Sequence, residues 1–350
     1  MGEEKRNQAA AQKFICIERH GGLGDVLMAL GAAKALKAAL GFSIIMITAP
    51  CFRSLAESCP HIDHVADEMS SVVQRYGDVK RVNLNPAAYG ISRLHQIDAY
   101  LEAFSITAEA GMKNIDLTID RSAEDEVERI LASWSLRSPG CARILIHPGQ
   151  TDPNRTWPVE RWTELASKLI AFGHQVVVVG SHTDVAGRGV ESLAVDGLLS
   201  TVNALSFLGT VALMRRSDVL VSADSGPVQL AGATDIGIVG LYSVVAGSCR
   251  LPFRHGTASW QAEAVKPSCA FHPCYQLMND PKVIAPFMQK LQEKSLTVQR
   301  LFSHWCPDGE SFACMKQQIT VPMVIDAIGR LDSRIVLKGT EVTASTNAVI

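Results

Sequence analysis

Residues 14–30 read FICIERHGGLGDVLMAL, which is a short apolar run, a glycine-rich turn and the start of a helix. The run does not alternate with polar residues, which is typical of a parallel strand buried on both faces. Similar runs alternate with helical patterns along the chain, and this alternation predicts an α/β fold with right-handed crossovers. The predicted strands are Phe14–Glu18, Ile44–Thr48, Arg81–Leu84, Arg143–Ile146, Val176–Val179, Val219–Ser222 and Ile236–Leu241. The predicted helices are Val26–Leu40, Ala123–Trp134, Val159–Phe172, Ala204–Arg216 and Ser225–Thr234.

The strand–turn–helix series starts again at Arg143, after the turn-rich segment Leu136-Arg137-Ser138-Pro139-Gly140. A chain of 350 residues is also long enough for two domains. We therefore expect one α/β domain over residues 13–138 and a second over 141–332. The second carries a cysteine-containing insertion at 266–316, and residues 333–350 form a tail.

Charge and hydropathy exclude several classes of protein. The formal net charge is −2, from 33 Lys and Arg against 35 Asp and Glu, which argues against a nucleic-acid partner held by a broad basic face. No apolar run approaches the roughly 20 residues of a membrane helix, and the polar N-terminus lacks the apolar core of a signal peptide. We expect a soluble cytoplasmic protein without a transmembrane segment. Such a protein can still contact a membrane peripherally.

Three motifs follow predicted strands. The first is Gly21-Gly22-Leu23-Gly24-Asp25, in which the glycines permit close approach of a ligand and Asp25 begins a helix. The second runs from His147-Pro148-Gly149 to Asn154-Arg155-Thr156, where Arg155 supplies a fixed positive charge. The third is Asp224-Ser225-Gly226-Pro227, whose free N–H groups at a helix start form an anion site.

Each motif also has a purely structural interpretation. Asp25, Asp224 or Ser225 could simply cap a helix, and Arg155 could lie in a solvated loop. Together the motifs are harder to explain in this way, because all three lie at the carboxyl ends of strands in two α/β domains. Ligands bind at such strand ends and in the cleft between domains.

These motifs resemble those of glycosyltransferase family 9, the ADP-heptose:lipopolysaccharide heptosyltransferases. The likeness spans roughly residues 13–332 and includes Gly21–Asp25 with the following helix, His147-Pro148-Gly149 through Trp157-Pro158-Val159-Glu160-Arg161-Trp162, and Asp224–Pro227. Ser58-Cys59-Pro60-His61-Ile62-Asp63 is also similar to a family segment. The resemblance implies the GT-B fold, in which two Rossmann-like domains face each other across a cleft. In this fold, the acceptor is expected to bind the N-terminal domain, and the nucleotide sugar is expected to bind mainly the C-terminal domain.

The resemblance also implies roles for individual residues. Asp25 corresponds to the general base that deprotonates the acceptor hydroxyl, and Arg155 to the cation on the donor phosphates. Gly22 and Gly24, with Asp224, Ser225 and Gly226, would hold the donor. Gln229 stands where the family commonly has His, so its donor contact departs from the pattern. No cofactor is implied for catalysis, because a cation and a helix N-terminus can stabilise the leaving diphosphate without a metal.

The expected partners are a nucleotide-sugar donor and a saccharide or protein acceptor. Two alternatives to a transferase remain at this stage. A nucleotide-sugar epimerase on the same fold would convert the donor without an acceptor. A non-catalytic nucleotide- or metal-binding scaffold would bind nucleotide without turnover.

Four of the nine cysteines cluster near the C-terminus, namely Cys269, Cys274, Cys306 and Cys314. Two pairs about 30 residues apart could form a closed four-thiolate site for structural Zn or Fe. The resemblance adds that the related autotransporter heptosyltransferases carry an iron site made of cysteines. Buried thiols or a disulfide are the alternatives.

Four further residues are weaker candidates, of which His20 and His147 adjoin the first and second motifs. His20 and His147 could contact phosphate or acceptor, although a satisfied loop histidine is the simpler interpretation. Arg93 and His95 lie where the N-terminal domain could contact an anionic acceptor.

Overall fold

The structure is a computed structural model that describes residues 13–85, 93–135, 137–149, 152–181, 193–293, 305–309 and 311–332. Two parallel sheets organise the chain, one in the N-terminal half (residues 13–135) and one in the C-terminal half (residues 137–332). The predicted α/β class is therefore correct.

The first sheet has four strands in the order β3-β2-β1-β4. Its central strand is buried along Ile15–Glu18, because apolar residues meet helices on both faces of a parallel sheet. The strands are β1 (Phe14–Glu18), β2 (Ser43–Ile47), β3 (His64–Ala66) and β4 (Lys80–Asn83), and the helices are α1 (Leu23–Leu40), α2 (Arg53–Ser58), α3 (Met69–Tyr76), α4 (Gln96–Glu102) and α5 (Arg121–Ala132).

The second sheet has six strands in the order β10-β9-β8-β5-β6-β7, and all neighbours are parallel. Its strands are β5 (Arg143–His147), β6 (Gln175–Val178), β7 (Leu199–Ser200), β8 (Val219–Ala223), β9 (Gly237–Leu241) and β10 (Ala262–Val265). Its helices are α6 (Val159–Ala171), α7 (Phe207–Met214), α8 (Gly226–Ala231), α9 (Pro281–Glu293) and α10 (Val321–Leu331).

Each sheet has one point where the strand order reverses, between β1 and β4 in the first and between β5 and β8 in the second. Loops on the two sides of such a point diverge and leave a crevice at the carboxyl ends of the strands. The segment with Asp25 follows β1. The segments with Arg155 and Asp224 follow β5 and β8, so the topology places all three predicted motifs at the two crevices.

The two halves pack together through α1 and α8, and α5 packs against α7. A single apolar core continues across this interface, and it contains Leu27 and Leu30 of α1 together with Val228 and Leu230 of α8. Apolar burial on this scale fixes the halves relative to each other, because burying a Leu or Val side chain contributes about 1.5–3 kcal/mol.

The predicted elements differ from the observed ones mainly at their ends, but several observed elements were not predicted, namely helices α2, α3, α4, α9 and α10 and strands β3, β7 and β10. Helix α7 is shorter than predicted, because Ser206 caps it by accepting a hydrogen bond from the Gly209 N–H. No helix among the described residues is long and apolar enough to cross a membrane. The predicted tail 333–350 and part of the insertion 266–316 lie outside the described residues.

Candidate functional site

Asp25 lies in the first turn of α1, where two groups hold one oxygen of its carboxylate. Oδ2 is 2.9 Å from Nη2 of Arg19 and accepts a hydrogen bond from the Gly22 N–H at 3.2 Å. The φ of Gly21 is 137°, and a Cβ at this position would lie 2.7 Å from the Arg19 guanidinium, so only glycine permits the turn. Oδ1 receives no hydrogen bond from the described residues, and the side chain is 30% exposed.

Arg19 is itself fixed by residues distant in sequence. Its Nε donates to the Tyr100 hydroxyl at 2.9 Å, and its Nη1 donates to Asn85 Oδ1 at 2.8 Å. Burial and the charge of Asp25 raise the pKa of Tyr100 to about 12, so the phenol stays protonated at neutral pH. The guanidinium therefore has one orientation, and that orientation determines where Asp25 lies.

Arg155 lies between two carboxylates of the C-terminal half. It forms ion pairs with Asp152 and, at 3.8 Å, with Oδ2 of Asp224, and it donates to the Asp224 carbonyl at 3.0 Å. Burial opposes its charge, but these carboxylates raise the pKa of Arg155 above its ordinary value. The guanidinium is permanently charged, and its charge is already balanced by protein groups.

The loop after β8 is joined to the end of β5 by hydroxyl and imidazole groups. Ser225 Oγ lies 2.9 Å from Ser222 Oγ and 3.2 Å from Nδ1 of His147. His147 is thus one of the partners that fix the Asp224-Ser225 loop. These contacts connect the second and third predicted motifs on adjacent strands.

The first and third motifs also meet. A Cβ on Gly24 would lie 3.6 Å from Cα of Gly226, and a Cβ on Gly226 would lie 2.7 Å from Cδ2 of Leu23. The helix starts of α1 and α8 therefore touch, and Gly226 is required for this close packing. Asp25 and the Arg155–Asp224 pair lie on the two sides of this contact.

Gln229, predicted as a donor contact, is a buried residue of α8. It is 1% exposed, its Nε2 donates to the Arg250 carbonyl, and its Oε1 has no hydrogen-bond partner among the described residues. Its Cγ is also 3.5 Å from the position of a Cβ on Gly24. Gln229 thus lies at the interface between the halves, below the meeting point of α1 and α8.

The remaining histidine and arginine candidates lie outside these contacts. His20 Nε2 lies 3.3 Å from Oε1 of Glu18, and the backbone carbonyl of Arg93 accepts a hydrogen bond from the Cys249 thiol at 3.5 Å. His95 is buried and pairs with the Leu251 carbonyl at 2.9 Å across the interface.

The four C-terminal cysteines are free thiols in the fold. Burial raises the pKa of the Cys274 thiol to about 12, and the charges of Cys314, Cys306 and Cys269 add to this shift. Cys274 packs with Trp305 in a small separate apolar cluster. Within the described residues, however, no three His, Cys, Asp or Glu side chains are arranged to hold a metal ion.

Sequence reasoning missed the residues that support the site. The only sequence signal for a role of Arg19 is its position directly after β1. Tyr100, Asn85 and Gln96 carry no motif, and their contacts join residues 66 to 154 positions apart.

A cavity of about 730 Å³ opens elsewhere along the interface. Asp116 and Asp235 line it and pair with His61 and His255, and Arg254 donates to four backbone carbonyls nearby. None of the three predicted motifs contributes to its lining.

Residues 94–248 match the family model described as glycosyltransferase family 9 (heptosyltransferase). The match includes Arg155 and Asp224 and leaves out the segment with Asp25. No curated protein matches the chain.

Solved structures are similar along most of the chain. A family 9 glycosyltransferase from Veillonella parvula DSM 2008 has a TM-score of 0.60 at 16% identity, over 92% of this chain and 97% of that one. ADP-heptose lps heptosyltransferase II of E. coli has a TM-score of 0.53 at 17% identity, over 81% and 99%. A third similar structure is TibC of enterotoxigenic E. coli H10407, a dodecameric iron-containing heptosyltransferase solved in complex with ADP-D-beta-D-heptose. The complex has a TM-score of 0.63 at 17% identity, over 93% of this chain and 77% of that one.

These likenesses confirm the predicted GT-B fold. With the family match, they also confirm the predicted resemblance and the class of enzyme. Residues 94–248 are thus similar to glycosyltransferase family 9.

Proposed function

We propose that the protein is a family 9 glycosyltransferase that moves a heptose from ADP-heptose to a hydroxyl group of a saccharide or a protein. The donor is suggested by the heptosyltransferase description of the matching family and by the ADP-heptose complex of TibC. The observation that carries the proposal is the contact between the helix starts of α1 and α8, because Asp25 lies in the first turn of α1 and the Arg155–Asp224 pair adjoins the start of α8.

Asp25 is the general base in this proposal. Arg19 and the Gly22 N–H hold Oδ2, so Oδ1 is left to accept the proton of the acceptor hydroxyl as it attacks the anomeric carbon. A positioned general base typically contributes about 10²–10⁴-fold in rate. The bond from the anomeric carbon to the diphosphate oxygen breaks as the new glycosidic bond forms.

The leaving diphosphate gains negative charge in this step and needs preorganised positive potential. Arg155 and the N–H groups after β8 supply this potential without a catalytic metal, and Ser225 and Gly226 lie beside them. In this proposal, the backbone of Gly22 and Gly24 approaches the donor closely. Asp224 orients the guanidinium of Arg155.

The first test compares Asp25→Asn with the wild type. ADP-heptose is supplied with core oligosaccharides and with serine- and threonine-containing peptides, and ADP release and heptosylated product are measured. We expect the variant to lose at least about 100-fold in kcat while its affinity for ADP-heptose, from calorimetry, stays unchanged. Asp235→Asn is the control, because its carboxylate is exposed and pairs with His255 away from the three motifs. Retained turnover in Asp25→Asn would contradict the proposal.

The same assays separate the alternatives. Conversion of ADP-heptose to an isomer without acceptor would indicate an epimerase. Selective binding of UDP or GDP over ADP in matched titrations would keep a transferase but exclude the heptose donor. Nucleotide binding without any turnover would indicate a scaffold.

We further propose that Cys269, Cys274, Cys306 and Cys314 bind one structural Zn or Fe ion. The iron-containing heptosyltransferase TibC supports this proposal, and thiolates are ligands that both metals accept. Such an ion would cross-link the segment around Cys274 to the start of the last helical region.

Metal analysis of the purified chain tests this second proposal. We expect about one Zn or Fe per chain, as four thiolate ligands bind a single ion, loss of the metal in Cys274→Ser, and a lower melting temperature after chelation. Cys141→Ser is the matched control, since Cys141 lies apart from the four. A metal-free chain, or a disulfide found by mass spectrometry, would contradict the metal site.

A further inference from the structure

The ion pairs around Arg155 offset part of its positive charge at the proposed donor site. Two carboxylates, Asp152 and Asp224, both pair with this guanidinium. A nucleoside diphosphate brings further negative charge to the same place. A second cation beside Arg155 and the N–H groups after β8 would therefore strengthen the attraction of the donor, because opposite charges attract.

Arg250 is a buried cation of a different kind. It follows the turn Gly247–Cys249 after β9, and the residue is only 8% exposed. Its Nη1 donates to the neutral amide oxygen of Gln96 at 2.6 Å, and among the described residues it forms no ion pair with a carboxylate. A buried charge without a counter-charge is costly, so an anionic ligand at this place gains a strong interaction.

The position of Arg250 connects it to the crevice. Its carbonyl accepts the hydrogen bond from Gln229, which lies against Gly24, and Gly24 lies against Gly226. Burial raises the pKa of Tyr100, which binds Arg19, and the charge of Arg250 opposes this rise. Burial also raises the pKa of Tyr242, which lies near Asp224, and Arg250 opposes that rise as well. Arg250 thus stands between the Asp25 side and the Asp224 side of the site.

We infer that Arg250 is a further donor-binding residue whose guanidinium contacts the diphosphate of the nucleotide sugar. This inference rests on the proposed function. It adds Arg250 to Arg155 and the N–H groups after β8 as a source of attraction for the diphosphate. In the reaction, Arg250 would also stabilise the charge that develops on the leaving phosphate oxygen.

Calorimetric titration with matched pairs of ligands tests the inference without an acceptor. The wild type and Arg250→Gln are titrated with ADP and adenosine, UDP and uridine, and GDP and guanosine. We expect Arg250→Gln to weaken binding of the preferred diphosphate about 10- to 100-fold, the effect of one lost charge-assisted hydrogen bond. Binding of the corresponding nucleoside should not change, because it has no phosphate.

Three further comparisons sharpen the result. Arg250→Lys should recover part of the diphosphate affinity, because it keeps the charge. Arg215→Gln should leave both ligands unaffected, because Arg215 lines the distant cavity and donates only a long bond to the Leu117 carbonyl. Thermal unfolding of each variant shows whether it is folded.

An unchanged affinity for the diphosphate in Arg250→Gln would overturn the inference. An equal loss for diphosphate and nucleoside would also overturn it and would assign Arg250 to packing of the interface. Failure of the proposed function looks different, because the wild type itself would then bind none of the three diphosphates.

Discussion

At the scale of single residues, the site depends on which charges are balanced and by what. Asp25 has a cationic partner, Arg155 has two anionic partners, and Arg250 has a neutral one. Asp25, Arg155 and Asp224 were predictable because each lies in a motif directly after a strand. Arg19 and Arg250 were not, because only the fold reveals that their partners are Asp25, Tyr100 and Gln96.

Arg19→Met tests whether the orientation of Asp25 matters for catalysis. Removal of the guanidinium leaves only the Gly22 N–H on the carboxylate, so Asp25 should sample several rotamers. We expect kcat to fall about 10- to 100-fold, as for other losses of positioning, while the KM for the donor stays constant. Steady-state kinetics with ADP-heptose and whichever acceptor the product assay identifies provides the measurement.

Arg19→Lys should restore part of the rate, since an ammonium group can still approach Oδ2. Lys37→Met is the matched control, because it removes another ion pair of α1 that lies far from the helix start. A change in the donor KM alone would mean that Arg19 binds the donor rather than orienting Asp25.

At the scale of elements, the strands that lie buried in the sheets were well predicted from their continuous apolar runs. Strand β1 has the predicted bounds, and β5 and β8 differ from theirs by one residue at the end. Strands β3, β7 and β10 were missed because they are short and partly exposed, so their sequences carry little apolar signal. Their pairing depends on a neighbouring strand rather than on local sequence.

Gly226→Ala tests the contact between α1 and α8. The new Cβ would lie 2.7–2.8 Å from three side-chain carbons of Leu23, so one of the two helices must move. We expect the free energy of unfolding to fall by about 1–3 kcal/mol, as in other overpacked cores. Chemical denaturation gives the value, and adding Leu23→Ala should recover part of it if the clash is the cause.

Gly329→Ala provides the opposite case. Gly329 lies inside α10, and a Cβ there would meet nothing within 4 Å. This substitution should raise the free energy of unfolding by about 0.5–1 kcal/mol, since Ala loses less backbone entropy than Gly in a helix. Equal effects of the two substitutions would contradict the packing argument.

At the scale of the whole molecule, the two halves are joined by a shared apolar core. Polar contacts between the halves add to this interface. Arg250 binds Gln96, His95 binds the Leu251 carbonyl, and Cys249 donates to the Arg93 carbonyl. The family match from residue 94 to residue 248 spans both sides of this interface. The sequence predicted the two sheets but not these contacts, because each joins residues more than 150 positions apart.

His95 makes this interface sensitive to acid. Its Nδ1 accepts from the Ile97 N–H at 3.2 Å, so the neutral ring donates from Nε2 to the Leu251 carbonyl. Burial, opposed by this hydrogen bond and by Asp98, lowers the pKa of His95 to about 4, and the charges of Arg250 and Lys113 act in the same direction as burial. The unfolded chain therefore binds a proton near pH 6.5 that the folded chain rejects until about pH 4.

The free energy of unfolding should consequently fall as the pH drops from about 7 to about 4, and the contribution of His95 reaches about 3 kcal/mol. Urea unfolding of the wild type and His95→Gln across this range measures it. The variant keeps a donor for Leu251 but cannot titrate, so its stability should depend less steeply on pH. His255→Gln, at an exposed histidine, should retain the slope of the wild type. Identical slopes in all three proteins would mean that other groups cause the acid sensitivity.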